Sequence, residues 1–246
     1  MVAIAAQPYQ WPLDGSLSPS TTALVVIDMQ NDCKSHTLEL GDRPVCSQAG
    51  YLAHQGYSIA STRAIIPTIA SLLETFRVHG FPIFHTREGH RADLSTLSLR
   101  ELGRSRNNPS GLGIGDVGPL GRLLIRGERG HDIVDELYPR PGEPVVDKPG
   151  KSAFAYTDFE LLLKVRCVKN LVVCGVTTDV CVSSMMREAN DRGYDCLLVE
   201  DAAAASVQEL HRAAVTMVKT EGGIFGAVAT SADVISAIAR LASKNS

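Results

Sequence analysis

No stretch of the 246-residue sequence stays apolar for the roughly 18 residues that a membrane-spanning helix needs. The first twenty residues, MVAIAAQPYQWPLDGSLSPS, lack the basic-then-apolar pattern of a secretory leader, so a cytoplasmic protein is the expectation. Neither charge sign dominates. The 24 Lys and Arg against 27 Asp and Glu leave a net charge of -3, which offers no electrostatic footprint for nucleic acid or an anionic membrane surface. None of the six cysteines (Cys33, Cys46, Cys167, Cys174, Cys181, Cys196) belongs to a C-x-x-C pair, which excludes a zinc ribbon or a thioredoxin-type redox site. Internal repeats, low-complexity tracts and linkers are absent as well, so residues 1–246 read as one domain. The segment GLGIGDVG resembles a phosphate-binding loop only in composition. It does not lead from a strand into a helix, and nucleotide binding is set aside.

What is present is an ordinary globular composition, 44% hydrophobic, with strand and helix patterns in alternation. After an extended arm over residues 1–20, TALVVID (22–28) is a short β-branched run suited to a strand buried on both faces. Residues 29–57 are polar and broken by glycines, too long for a plain connection. Further strands are expected at 81–88, 143–149, 170–176, 195–203 and 224–231. Helices are expected at 58–80, 158–168, 181–193 and 207–223, with a short one near 94–103 and a last one closing the chain. Pro67 should mark a helix start inside the first of these. Cys167, Cys174 and Cys196 lie in or beside apolar runs and read as small buried hydrophobes. Cys33 and Cys46 share a polar loop, where a reducing compartment disfavours a disulfide. The fold class implied is α/β: a six-stranded, mainly parallel sheet between two layers of helices, Rossmann-like.

Such sheets place ligands at the carboxyl ends of their strands. Asp28 ends the first strand, Lys148 the third, Glu200 and Asp201 the fifth, and Thr177 to Cys181 follow the fourth. Taken singly, each has a bland reading: a helix cap, a solvated loop lysine, a core cysteine. Together they put an acid, an ammonium and a thiol on one edge. A thiol with a reference pKa near 8.5 is only a few per cent ionised at neutral pH. The first turn of a helix and Lys148 would both favour the thiolate of Cys181, and Asp28 would accept its proton. Arg87, Glu88, His90 and Arg91 after the second strand are either a solvated charged loop or part of the pocket or a subunit contact.

The segments VVIDMQND, DKPGKSAF and GVTTDVCV, in that order, resemble the isochorismatase-like cysteine hydrolases over about residues 22 to 230. Within the family the likeness runs nearest to the biuret-hydrolysing members, through HTREGHRADL, GIGDVGPLGRLLIRGE, DELYP and KTEGGIFG. The resemblance implies an Asp–Lys–Cys triad at Asp28, Lys148 and Cys181. It implies a cis peptide between Val176 and Thr177, and an oxyanion hole made by the amides of Thr177 and Cys181. It implies hydrolysis of an amide C–N bond in a small ureide such as biuret, with triuret, ureidoacrylate or an N-carbamoyl amino acid as alternatives. No cofactor and no metal are implied, and a homo-oligomer, often a tetramer, is. Isochorismate-cleaving members lack the nucleophilic cysteine, and the metal-dependent nicotinamidases carry a D-x-H element that this chain lacks. Gln30, Cys33, Arg87 and Glu221 are the candidate substrate contacts. Two of these depart from the biuret-hydrolase pattern: Cys33 stands where that pattern has Phe, and Glu221 where it has Gln. An ionised Glu221 would only accept hydrogen bonds and would disfavour an anionic substrate. Extra residues lie between Cys33 and Gly50, within the 33–57 loop. A catalytically idle relative, using that loop to bind a partner, is the reading outside enzymology.

Overall fold

The computed structural model describes residues 2–33, 37–39, 44–46 and 50–244. At its centre are six strands: β1 (Thr22–Ile27), β2 (Ile83–Glu88), β3 (Val145–Lys148), β4 (Asn170–Val176), β5 (Asp195–Ala204) and β6 (Ala227–Ala229). They lie in the order β3-β2-β1-β4-β5-β6, and every neighbouring pair is parallel. The helices of seven residues or more are α1 (Ile66–Val78), α2 (Leu99–Ser105), α3 (Phe159–Val165), α4 (Ser183–Asp191), α5 (Gln208–Lys219) and α6 (Ser231–Lys244). Among the described residues no helix is long and apolar enough to cross a membrane.

The β-branched run of β1 is buried at all six positions, as a central strand requires. Its side chains alternate between two cores. Leu24 and Val26 join Ile69, Leu72 and Phe76 of α1 and Val234 and Ile238 of α6. Ala23, Val25 and Ile27 join Phe159 and Leu163 of α3, Met185 and Met186 of α4, and Val215 and Val218 of α5. The sheet is therefore covered on both faces, which gives the three layers read from the sequence.

Several boundaries differ from the sequence reading, each for a local reason. The 58–80 segment, by contrast, divides as the sequence reading places it: a separate turn, Ala60–Ala64, precedes α1, and Pro67 sits in the first turn of α1. The helix expected near 94–103 forms later, at α2, where the Ser98 side chain caps it by accepting from the Glu101 amide at 3.2 Å. Helix α5 stops at Lys219 because Glu221, Gly222 and Gly223 all take positive φ. Cys174 and Cys196 are buried, but Cys167 is exposed in the turn that follows α3. Strand β5 continues past Asp201 to Ala204. The Asp201 carboxylate accepts from the Ser231 amide at 2.7 Å and hydroxyl at 2.6 Å, capping α6 rather than facing a site.

The extended arm is not a free one. Ile4, Trp11 and Leu17 are buried in the core beneath α1 and α6. Gln7 exchanges backbone hydrogen bonds with Val228 of β6, at 2.9 and 2.8 Å. The Tyr9 hydroxyl donates to Asp195 Oδ1 at 2.9 Å.

Gly175, opposite Ile27 in the β1–β4 pairing, has φ +112°. A Cβ there would lie 2.1 Å from the Ile27 carbonyl oxygen. Only glycine lets the two strands approach so closely at this level of the sheet. Gly175→Ala is expected to lower stability by roughly 2–4 kcal/mol, from overpacking plus an unfavourable φ. Urea denaturation measures it, and a loss below about 0.5 kcal/mol would contradict the close approach.

Candidate active site

In this strand order the chain direction of assembly reverses between β1 and β4, and ligands in open parallel sheets sit at the carboxyl edge of such a junction. Four adjacent strand ends meet there. Cys181 follows β4, Asp28 follows β1, Glu88 ends β2 and Lys148 ends β3. Asp28 takes φ 51°, so the chain turns sharply as it leaves β1. Its Oδ1 accepts from the Thr86 hydroxyl at 2.6 Å, and its Oδ2 lies 2.7 Å from Lys148 Nζ.

Lys148 is fully buried. Its ammonium lies 3.4 Å from Cys181 Sγ and 3.6 Å from Glu88 Oε2, and donates to the Gly150 carbonyl at 3.0 Å. Burial alone would favour the neutral amine. The carboxylates of Asp28 and Glu88 outweigh it and hold Lys148 charged, well above the ordinary lysine range.

Cys181 stands in a wide helical turn, Thr178–Val182, that runs directly into α4. The turn is anchored by the Thr177 carbonyl, which accepts from the amides of Val180 (3.1 Å) and Val182 (3.2 Å). The Ser183 hydroxyl closes it onto the Thr178 carbonyl at 2.6 Å. Insertions of this i to i+5 kind recur at functional sites. The Val176–Thr177 peptide is cis. Lys148 favours the thiolate here, as the sequence reading expects, but it works against burial. Burial pushes the Cys181 thiol well above its ordinary value. Lys148 opposes this, while Asp28 and Glu88 add to it. The Cys181 Sγ–H donates to Glu88 Oε2 at 3.3 Å.

Glu88 is the group that the sequence reading left among the alternatives for a charged loop. It is buried, and its other oxygen is paired with Lys151. Burial pushes the carboxyl up, but the two ammonium groups of Lys148 and Lys151 outweigh burial and hold it at about 2. Its backbone is clamped by Gln30, whose side-chain amide donates to the Glu88 carbonyl at 3.0 Å and accepts from the Glu88 amide at 2.8 Å. The same amide donates to the His131 carbonyl at 2.9 Å. Gln30 borders the cavity, yet its polar atoms serve the protein.

The other expected substrate contacts fare differently. Arg87 alternates to the opposite side of β2 from Glu88. It pairs there with Asp147 at 2.7 Å and Asp132 at 2.9 Å, away from the cavity and beside a separate depression. Glu221 is exposed and does not border the cavity. The Cys33 side chain and most of the insertion before Gly50 lie outside the described residues.

Above the four strand ends opens a cavity of about 630 Å³, the size of a small-molecule site. Thr177, Cys181 and Lys151 form its floor with Asp28 and Glu88. Tyr51, Tyr57 and Leu97 wall it, with Arg100, Glu101 and Arg104 of α2. Asp28, Glu88 and Cys181 together are a set of donors that a cation could gather, with their ligand atoms within 4.8 Å of one another. Lys148 Nζ already lies within 3.6 Å of an atom of each, so an ammonium occupies the electrostatic place of a metal.

The profile of the Isochorismatase domain matches residues 22–233. The chain belongs to the isochorismatase family. It is 32% identical over 239 residues to the ureidoacrylate amidohydrolase RutB of Azorhizobium caulinodans, covering 93% of this chain and 95% of that protein. A cysteine hydrolase from Pseudomonas syringae pv. phaseolicola superposes with a TM-score of 0.73 at 25% identity, covering 98% of each chain. N-carbamoylsarcosine amidase from Thermoplasma acidophilum shares the fold, with a TM-score of 0.61 at 23% identity over 86% of this chain and 96% of that one.

Proposed function

We propose that this member of the isochorismatase family is a cysteine-dependent amidohydrolase of small ureides. The observation that carries it is the contact of one buried ammonium, Lys148, with both Asp28 and the thiol of Cys181 on the floor of the cavity. The Cys181 sulfur attacks a carbonyl carbon as its proton passes to Asp28. The carbonyl becomes an oxyanion, received by the amides of Thr177 and Cys181. When it collapses, the C–N bond breaks and the proton moves from Asp28 to the departing nitrogen, releasing ammonia or an amine. Water then attacks the thioester, giving its proton to Asp28, and the acyl group leaves as the thiol re-forms. Lys148 remains charged throughout and balances the carboxylate and the developing thiolate.

Biuret is the first substrate of this reading. Ureidoacrylate is the second, supported by the curated relative that hydrolyses it and by Arg100 on the cavity wall. The Arg100 side chain is 85% exposed, and it lies 3.9 Å from the Glu101 carboxylate. It is therefore placed to meet a substrate carboxylate. Ammonia release is the test, screened over biuret, triuret, ureidoacrylate, N-carbamoyl amino acids and nicotinamide. Turnover of at least one ureide is expected. Activity on nicotinamide alone would overturn the assignment, and preference for ureidoacrylate over biuret that disappears in Arg100→Ala would decide for the second substrate.

A further inference from the structure

The mechanism above uses Asp28, Lys148 and Cys181 and leaves one buried carboxylate that borders the cavity, Glu88, without a task. Glu88 is 8% exposed, on the cavity floor, with Oε1 on Lys151 and Oε2 3.3 Å from Cys181 Sγ. An ionised carboxylate only accepts hydrogen bonds, so the thiol is the donor in this contact. The thiol proton therefore points at Glu88 in the substrate-free site. A thiolate formed there would face a carboxylate at contact distance, and like charges so close resist ionisation. Gln30 clamps the Glu88 backbone on both sides, and Lys151 on one oxygen with Lys148 3.6 Å from the other holds the carboxylate in place. A ureide carries several N–H donors, the groups that a carboxylate on a cavity floor receives.

We propose that Glu88 is a latch on the nucleophile. It accepts the Cys181 thiol hydrogen bond while the cavity is empty and gives up that oxygen to a substrate N–H when a ureide binds. The sulfur is then released to pass its proton to Asp28 and attack. Glu88 itself forms and breaks no covalent bond and gains no proton. Lys151 keeps it charged in both states. This inference rests on the cysteine-amidohydrolase reading, and it makes the thiol reactive mainly when substrate is present.

The experiment follows iodoacetamide alkylation of Cys181 in substrate-free protein, by peptide mass spectrometry, from about pH 6 to about pH 9. Site-resolved detection is needed because Cys167 is exposed. Glu88→Gln removes the like charge while both lysines stay. It is expected to alkylate about tenfold faster at neutral pH, with its profile moved to lower pH by about one unit. For the best ureide, KM should rise and kcat should fall. Alkylation at the wild-type rate or slower, in a variant with a native circular dichroism spectrum, overturns the latch. Should Glu88→Gln fail to fold, Glu88→Asp gives the same readout with the same two outcomes. It keeps the charge for the lysines but draws the oxygens away from sulfur. Because alkylation needs no substrate, a silent ureide screen sinks the amidohydrolase reading without obscuring whether Glu88 restrains the thiol.

Discussion

Cys181→Ser is expected to lower ureide turnover by roughly 10⁴-fold or more while leaving the fold intact. The serine hydroxyl can replace the thiol in the bond to Glu88, so the resting geometry survives. What it cannot supply is a nucleophile that Asp28 can deprotonate. Both Asp28 oxygens are already engaged, one by Thr86 and the other by Lys148, and among the described residues no histidine hydrogen-bonds to the sulfur. A hydroxyl is far less acidic than a thiol, and burial penalises its anion further. Steady-state ammonia release, with thermal unfolding as the control, measures the effect. Retention of wild-type turnover would remove Cys181 from the mechanism. Release of pyruvate from isochorismate that survives the substitution would move the protein to the vinyl-ether branch of its family.

Lys148→Met is expected to cost about 3–5 kcal/mol of stability and to lower turnover by at least roughly 10³-fold. The methionine fills most of the lysine's volume, so the loss is electrostatic. Asp28 and Glu88 would remain buried, with the nearest full positive charge reduced to Lys151 on one side of Glu88. Lys148 is one of the two ammonium groups that hold the Glu88 carboxyl at about 2 against burial, so in the wild type Glu88 adds stability that is present above the unfolded carboxyl value and lost as pH falls toward about 2. Removing Lys148 weakens that contribution, so the stability deficit should be largest at neutral pH and shrink as pH falls below about 4. Urea titrations of both proteins at acidic and neutral pH test this. A deficit independent of pH would mean that the lysine stem, not its charge, supports the site.

How much of this was legible beforehand depends on the kind of signal each residue leaves. β1 and β4 were readable because a strand buried on both faces must be an unbroken apolar run, and few other structures demand one. Asp28, Lys148 and Cys181 were readable because a polar group that interrupts such a run at its end has few bland explanations when three of them share an edge. Glu88 was obscured by its neighbours. In HTREGHR the charged residues follow one another closely, and composition does not tell which side of the sheet each takes. Strand alternation through Thr86, Arg87 and Glu88 was the available clue: it separates Arg87 from Glu88. Lys151 was visible in DKPGKS, but nothing local says that the chain beyond Pro149 folds back over Glu88. Gln30 is among the expected substrate contacts, yet it turns its polar atoms to the protein. Its hydrogen bonds to Glu88 and His131 join segments 58 and 101 residues away, which no local pattern encodes. The burial of the N-terminal arm was equally hidden, since its apolar residues follow neither the helical nor the strand period.

That arm has a consequence for association. A parallel sheet ends in two strands with unpaired backbone groups, and such margins invite another chain to add itself. At the β6 margin Gln7 already occupies the backbone of Val228, with Trp11 and Ile4 anchoring it from the core. At the other margin β3 is only four residues long and lies between Pro144 and Pro149, neither of which has an amide hydrogen to donate. One margin is thus plugged and the other blunted. Trimming the first dozen residues would unplug the former, and the truncated protein should gain a tendency to aggregate through its sheet before it loses the arrangement of its cavity.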